Sequence, residues 1–192
     1  MINRRHLLGH AKHALPVMGL SALGVVSLSG CAGVSVESYK SETPVFSLRE
    51  YFNGPVRAWG IFTDRSGQVQ KRFSVEMNCS WQGEAGTLDE SFLYSDGTRQ
   101  RRIWHLLDRG QGRFEGRADD VVGVALGETS GNAFRWSYTM ALKVGEQVWD
   151  VEFDDWMYLM DGQVLLNKSA MSKWGIHLGD VTLSFTRAGA AS

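Results

Sequence analysis

The sequence predicts an all-β domain, an antiparallel meander of about eight to ten strands closed into a barrel. Three observations predict it. Apolar and polar residues alternate with period two over long stretches, short Asp-Gly and Gly-containing turns separate those stretches, and no long run carries the helical period.

The first element precedes the domain. The opening thirty residues hold Arg4, Arg5 and Lys12 and no acid, and an apolar run from Leu15 to Leu28 follows, too short and too rich in Gly and Ser to span a bilayer. It ends in Leu28-Ser29-Gly30-Cys31, which resembles a bacterial lipobox. Residues 1–30 therefore read as a lipoprotein signal peptide and Cys31 as the lipidated mature N-terminus. Ala32 stands where, in such signals, an Asp favours inner-membrane retention, so the expected location is the periplasmic face of the outer membrane. A diacylglycerol plus an N-acyl chain would hold the protein there stably, at about 0.8 kcal/mol per buried methylene.

Without its first 30 residues the chain keeps 162, with 17 Lys and Arg against 21 acids, which gives no footprint for nucleic acid. Cys79 is the remaining thiol, no Cys/His cluster is present, and no motif implies a metal or cofactor.

Residues 31–46 are polar and aperiodic and read as a tether; the single barrel domain is expected over 47–188. It opens on Ser47-Leu48-Arg49-Glu50, the pattern of a capping box, and Asn53-Gly54-Pro55 ends that short helix. In 68–82 the odd positions Val69, Phe73, Val75, Met77, Cys79 and Trp81 are apolar, with Lys71 the exception, and every even position is polar. Cys79 on that apolar face reads as a small core residue. The glycines of 109–132 are followed by neither a helix nor a Lys-Ser/Thr pair, so they read as bends and bulges of a curved sheet. Alternation returns in Phe134, Trp136, Tyr138, Met140 and Leu142.

The strand from Gln147 puts Trp149, Val151, Phe153, Asp155, Met157 and Leu159 on one face, so parity sends Asp155 inward and leaves Asp150, Glu152 and Asp154 as an outer acidic row. Parity also places Trp156, Tyr158 and Met160 outside, unless a bulge near Asp154-Asp155 reverses the register. An inward carboxylate requires a cation or several donors. Arg57, Arg101, Arg102, Lys168 and the amide of Asn167 are the candidates.

The stretches YFNGPVRAWGIFTDRSG (51–67), ESFLYSDGTRQRRIW (90–104), FEGRADDVVGVALGETSGNAFRWSY (114–138) and VEFDDWMYLMDGQVLLNKSAMSKWGIHLGDVTLSF (151–185) resemble the domain of unknown function 3833 family of proteobacterial lipoproteins. The resemblance implies a lipocalin-like barrel on a lipid anchor and transfers no catalytic residue. Ala58-Trp59-Gly60 departs from the Gly-x-Trp of true lipocalins, so the likeness is architectural.

The expected function is binding of a hydrophobic small molecule, such as an acyl chain or lipid-derived compound, against Trp136, Tyr138, Trp149, Phe153, Asp155, Met157 and Asn167. Two alternatives stand beside it: an enzyme on a lipid-like substrate with Asp155 or Asp154 as acid/base, and an envelope protein presenting Trp156, Tyr158 and Met160 to a partner. His105 and His177 lack a Gly-x-Ser-x-Gly elbow and read as structural or surface residues, and Asp119 and Asp120 as surface or turn acids. Composition leaves open whether the aromatic residues line a cavity or fill the barrel.

Overall fold

The computed structural model describes residues 33–187; the expected signal peptide and the expected lipidation site Cys31 lie outside them. Ten strands form a closed antiparallel barrel in chain order: β1 (Gly54–Asp64), β2 (Val69–Gln82), β3 (Ala85–Tyr94), β4 (Arg99–Gly110), β5 (Arg113–Arg117), β6 (Val121–Ser130), β7 (Ala133–Val144), β8 (Gln147–Leu159), β9 (Val164–Lys173) and β10 (Ile176–Arg187). β10 returns to β1 through pairs from Val56↔Arg187 to Asp64↔Gly179, so the sheet has no free edge. The all-β meander is as the alternation predicts.

Turn chemistry follows the sequence. Gly67 and Gly97 adopt φ of 86° and 82°, and Asp64 and Asp96 accept backbone N–H groups of the same turns. At Asp161-Gly162 the device differs: the Asp161 carboxylate accepts the N–H of Gln163 and of Val164, and Gly162 needs no left-handed conformation.

The glycine-rich segment contains the expected irregularities, with register shifts between Asp108 and Gly110 and between Val122 and Leu126. Two of its glycines have a second reason. A Cβ on Gly127 would stand 2.3 Å from the Trp136 ring, and one on Gly116 2.6 Å from the same indole. These inward positions seat a large aromatic against bare backbone. Gly127→Ala should therefore cost about 1–3 kcal/mol through overpacking, read as a lower urea midpoint; an unchanged midpoint would show that Trp136 can move aside freely.

The hairpin turns alternate between two ends of the barrel. At the end holding the β2–β3, β4–β5, β6–β7 and β8–β9 turns, a short helix, α1 (Leu48–Tyr51), closes the opening. Ser47 caps it by accepting the Glu50 N–H at 3.3 Å. The Arg49 guanidinium donates to the Gly83 carbonyl and lies 3.5 Å from Asp108, the Phe46 N–H donates to the Gly131 carbonyl, and the Tyr51 hydroxyl donates to the Gln163 carbonyl. All four turns are thereby tied to this segment. Phe46, Leu48, Tyr51 and Phe52 are buried in the core beneath it, Phe52 edge-on to Phe185 and Tyr51.

The stretch expected to be a tether is in part packed structure. A turn of 3₁₀-helix at Val36–Tyr39 buries Val36 and contacts β6 and β7. Tyr39 lies against Trp156 and Tyr158 at centroid distances of 5.9 and 5.3 Å, and the Phe46 N–H, donating to the Gly131 carbonyl, continues the contact to the barrel end. A polar composition hides this because a few apolar residues, Val36, Tyr39 and Phe46, make the contacts.

Candidate functional site

β8 runs through Asp154 and Asp155 with unbroken register to both neighbours, pairing Asp155 with Trp136 on β7 and Ser169 on β9. No bulge reverses the faces. Asp155 points inward and is 7 % exposed, while Asp154 lies outside in a two-point pair with Arg135 at 2.7 and 3.1 Å. The outer aromatics need no reversal because Trp156 and Tyr158 are half-buried under Tyr39, and the Arg135 guanidinium stacks over Trp156. Met160 remains exposed, but the wider docking face that these residues were expected to present is covered.

The barrel is hollow. A cavity of about 710 Å³ runs from the α1 floor to the opposite end, where Lys71, Tyr94, Thr98 and Val144, beside the β1–β2, β3–β4 and β7–β8 turns, form its mouth. Ten strands enclose a wider bore than the eight that side chains can fill. Leu48 and Phe52 of the floor line its lower end. The wall is mainly apolar and aromatic: Trp104 meets Trp136 and Tyr138 edge-on at 5.6 and 5.3 Å, and Tyr138 stacks on Phe153 at 5.0 Å.

Of the residues singled out in the sequence, Trp136, Tyr138, Phe153, Asp155, Met157 and Asn167 line this cavity. Trp149 does not. It sits near the turn end of β8, where its indole donates to Gln147 and the Lys173 ammonium covers its ring, so its inward parity brings it to the rim rather than the bore.

Set into the apolar wall is a buried polar cluster. The Tyr138 hydroxyl donates to Asp155 Oδ2 at 3.2 Å. Asn167 spends its amide N–H on the Trp156 carbonyl at 3.4 Å. Arg102 makes the strong pair of the cluster, donating to both oxygens of Asp120 at 2.8–3.0 Å, with Glu90 at 3.8 Å and Phe92 under its guanidinium. The other expected partners of Asp155 are elsewhere: Arg57 pairs with Glu76 and Arg101 with Asp89 on the outer face, and Lys168 is exposed. Asp120 lies in the β5–β6 turn, and from there its half-buried carboxylate pairs with Arg102. His105 and His177 are exposed, as expected.

Burial controls the electrostatics. It raises Asp155 to about 7, against smaller opposing effects of Ser169, Tyr138 and Arg102, and it raises Glu90 to about 7, with Arg102 opposing. Burial disfavours the charge on Arg102 as well, but Asp120 and Glu90 hold it cationic. Burial also lifts the Cys79 thiol to about 12, which keeps it an inert core group.

A pH prediction follows for Asp155. Its carboxyl titrates near 7 when folded against an ordinary 3.8, so as pH rises between these values the unfolded chain releases the proton first. Native stability contributed by this group is thus full below pH 4 and declines toward pH 7. Asp155→Asn should equal the wild type near pH 4 and exceed it near pH 7 by about 2–4 kcal/mol. Urea unfolding across that range checks it, and a pH-independent difference would contradict it.

Glu90, Trp104 and Ser169 are site residues that the sequence reading did not select, while Arg102, a candidate partner of Asp155, pairs with Asp120 instead. A signal existed for two of them: Leu88, Glu90 and Phe92 share one face of β3, and Trp104 shares one face of β4 with Arg102 and Leu106.

With this geometry in place, comparison with known proteins decides the family. A family model described as "Protein of unknown function (DUF3833)" matches residues 25–187. The chain belongs to the DUF3833 family. No curated protein matches it. Among solved structures, this DUF3833 barrel is similar to the S-type phycobiliprotein lyase CPES from Guillardia theta, with a TM-score of 0.56 at 8% identity over 76% of this chain and 95% of that one. At that identity the similarity establishes a shared lipocalin-like barrel fold, and the site of this DUF3833 member must be argued from its own residues.

Proposed function

We propose that the protein is a lipid-anchored periplasmic barrel that binds a hydrophobic small molecule, such as an acyl chain or lipid-derived compound, in its central cavity. The observation that carries the reading is the hollow bore of about 710 Å³, closed by α1 at one end, open at the other and lined by apolar and aromatic side chains. The similar barrel of a phycobiliprotein lyase is in keeping with small-molecule binding. The anchor and location rest on the lipobox-like Leu28-Ser29-Gly30-Cys31. Palmitate labelling that persists in a Cys31→Ser variant would count against them.

The test of binding is organic extraction of gently purified protein followed by mass spectrometry. A hydrophobic compound recovered in about equal amount to the protein is the expected result, and repeated recovery of none argues for an empty or water-filled bore.

A second reading, an acid/base enzyme on a lipid-like substrate, draws on Asp155 and Glu90, both lining the cavity and both raised to about 7. It requires conversion of the bound compound; recovery of that compound unaltered after prolonged incubation would remove its support.

A further inference from the structure

The lower cavity contains polar atoms that the protein does not pair. Asp155 Oδ1 and Ser169 Oγ are buried without a hydrogen-bond partner, and the two residues, 7 % and 2 % exposed, both line the cavity as register partners on β8 and β9. Ser169 is near enough to favour the carboxylate, yet neither atom has a partner at hydrogen-bonding geometry. A buried carboxylate oxygen and hydroxyl left unmatched are costly, and each can accept a hydrogen bond from a donor placed between them.

The surroundings select the donor's charge. The buried cluster sets the carboxyls of Glu90, Asp120 and Asp155 against the guanidinium of Arg102, which is already committed to Asp120. Three carboxyls against one guanidinium leave an excess of acid, which an added positive charge reduces. Trp136, the register partner of Asp155 on β7, and the edge-on Trp104 and Tyr138 supply aromatic surface beside the acid, the environment in which ammonium groups are held. Basic side chains occur on the bore at its mouth, where Lys71, Arg99 and Lys143 are exposed and Lys71 is paired with Asp96.

We propose that the cavity takes an amphiphile bearing a protonated amine, with the ammonium seated between Asp155 and Ser169 and the apolar portion running toward the mouth. The inference rests on the ligand-binding reading above and adds the class of head group. A primary ammonium has donors for both unmatched atoms. A carboxylate or phosphate head in the same place would face Glu90 and Asp155 without an available cation.

The test titrates the full chain with dodecylamine, dodecanol and dodecanoate at neutral pH below their aggregation limits, following the tryptophan fluorescence of the cavity wall and calorimetric heat. The expected result is binding of the amine about tenfold or more tighter than of the alcohol, with dodecanoate weakest. In Asp155→Asn the preference of amine over alcohol should vanish while alcohol binding persists, and Ser169→Ala should reduce amine affinity by a smaller factor. Because Asp155→Asn is expected to be more stable near pH 7, loss of amine preference cannot be attributed to unfolding. Equal or tighter binding of dodecanoate or dodecanol by the wild type overturns the head-group assignment and leaves the ligand-binding reading standing. Failure of all three probes to bind overturns both.

Discussion

Phe52→Ala lowers the stability of the barrel by about 3–5 kcal/mol. Phe52 is 2 % exposed at the α1 end, edge-on to Phe185 at 5.7 Å and Tyr51 at 5.1 Å, and its carbonyl accepts the Trp81 indole N–H at 2.9 Å. Removing the ring takes away the packing that holds the floor and leaves a hole continuous with the main cavity, because Phe52 is itself a lining residue. That hole cannot collapse easily, since the strands around it are fixed by closure of the sheet. Urea unfolding should show the lost stability, and limited proteolysis should cut first within residues 47–53. A loss below about 1 kcal/mol would mean that α1 is a superficial cover rather than the base of the core.

Arg102→Met is expected to cost a similar amount, about 3–5 kcal/mol. The guanidinium is 15 % exposed and answers Asp120 and Glu90 together, so its removal leaves two acids in a low-dielectric wall without their cation. The loss should grow as pH rises through about 7, where Glu90 ionises, and shrink as Glu90 protonates below it. Adding Glu90→Gln to Arg102→Met should recover part of it, because one uncompensated charge is then gone. Denaturation of the single and double variants on either side of pH 7 measures this. Full stability of Arg102→Met at neutral pH would show that water, rather than Arg102, solvates these carboxyls.

The two variants probe parts of the molecule that differed in how far the sequence disclosed them. Strict alternation in β2, β7 and β8 revealed the barrel wall, and in β8 it assigned Asp155 to the inside and Asp154 to the outside without further information. It worked because those strands are regular: the register between β7 and β8 is uninterrupted from Ala133↔Tyr158 to Val144↔Gln147. The possible bulge was raised by the apparent exposure of Trp156 and Tyr158. Their cover, Tyr39, comes from a part of the chain too polar and too short in period to announce a packed segment.

The Arg102 cluster was less legible for a different reason. Arg101 and Arg102 are adjacent and chemically alike, yet one faces solvent toward Asp89 and the other faces the bore toward Asp120. Arg102 shares a face of β4 with the inward Trp104 and Leu106, but Arg101 shares the other with Ile103 and Leu107, so alternation in this strand does not by itself say which face is inside. Asp120 joins from the β5–β6 turn, a contact between distant parts of the chain that no local pattern encodes. Whether the barrel is filled or hollow was not legible either. Aromatic abundance suits both outcomes, and the bore depends on strand number and stagger, which are properties of the closed sheet.

Binding of a hydrophobic molecule in this bore underlies the proposed function. Its most direct test is an equilibrium titration of the purified protein with an apolar fluorophore such as 1-aminoanthracene, comparing the wild type with a Val75→Trp variant that projects an indole into the cavity from β2. Saturable binding of about one fluorophore per chain, energy transfer from the wall tryptophans, and loss of that binding in the folded variant are the expected results. No saturable binding to the wild type, or equal binding when the bore is filled, would contradict the proposed function.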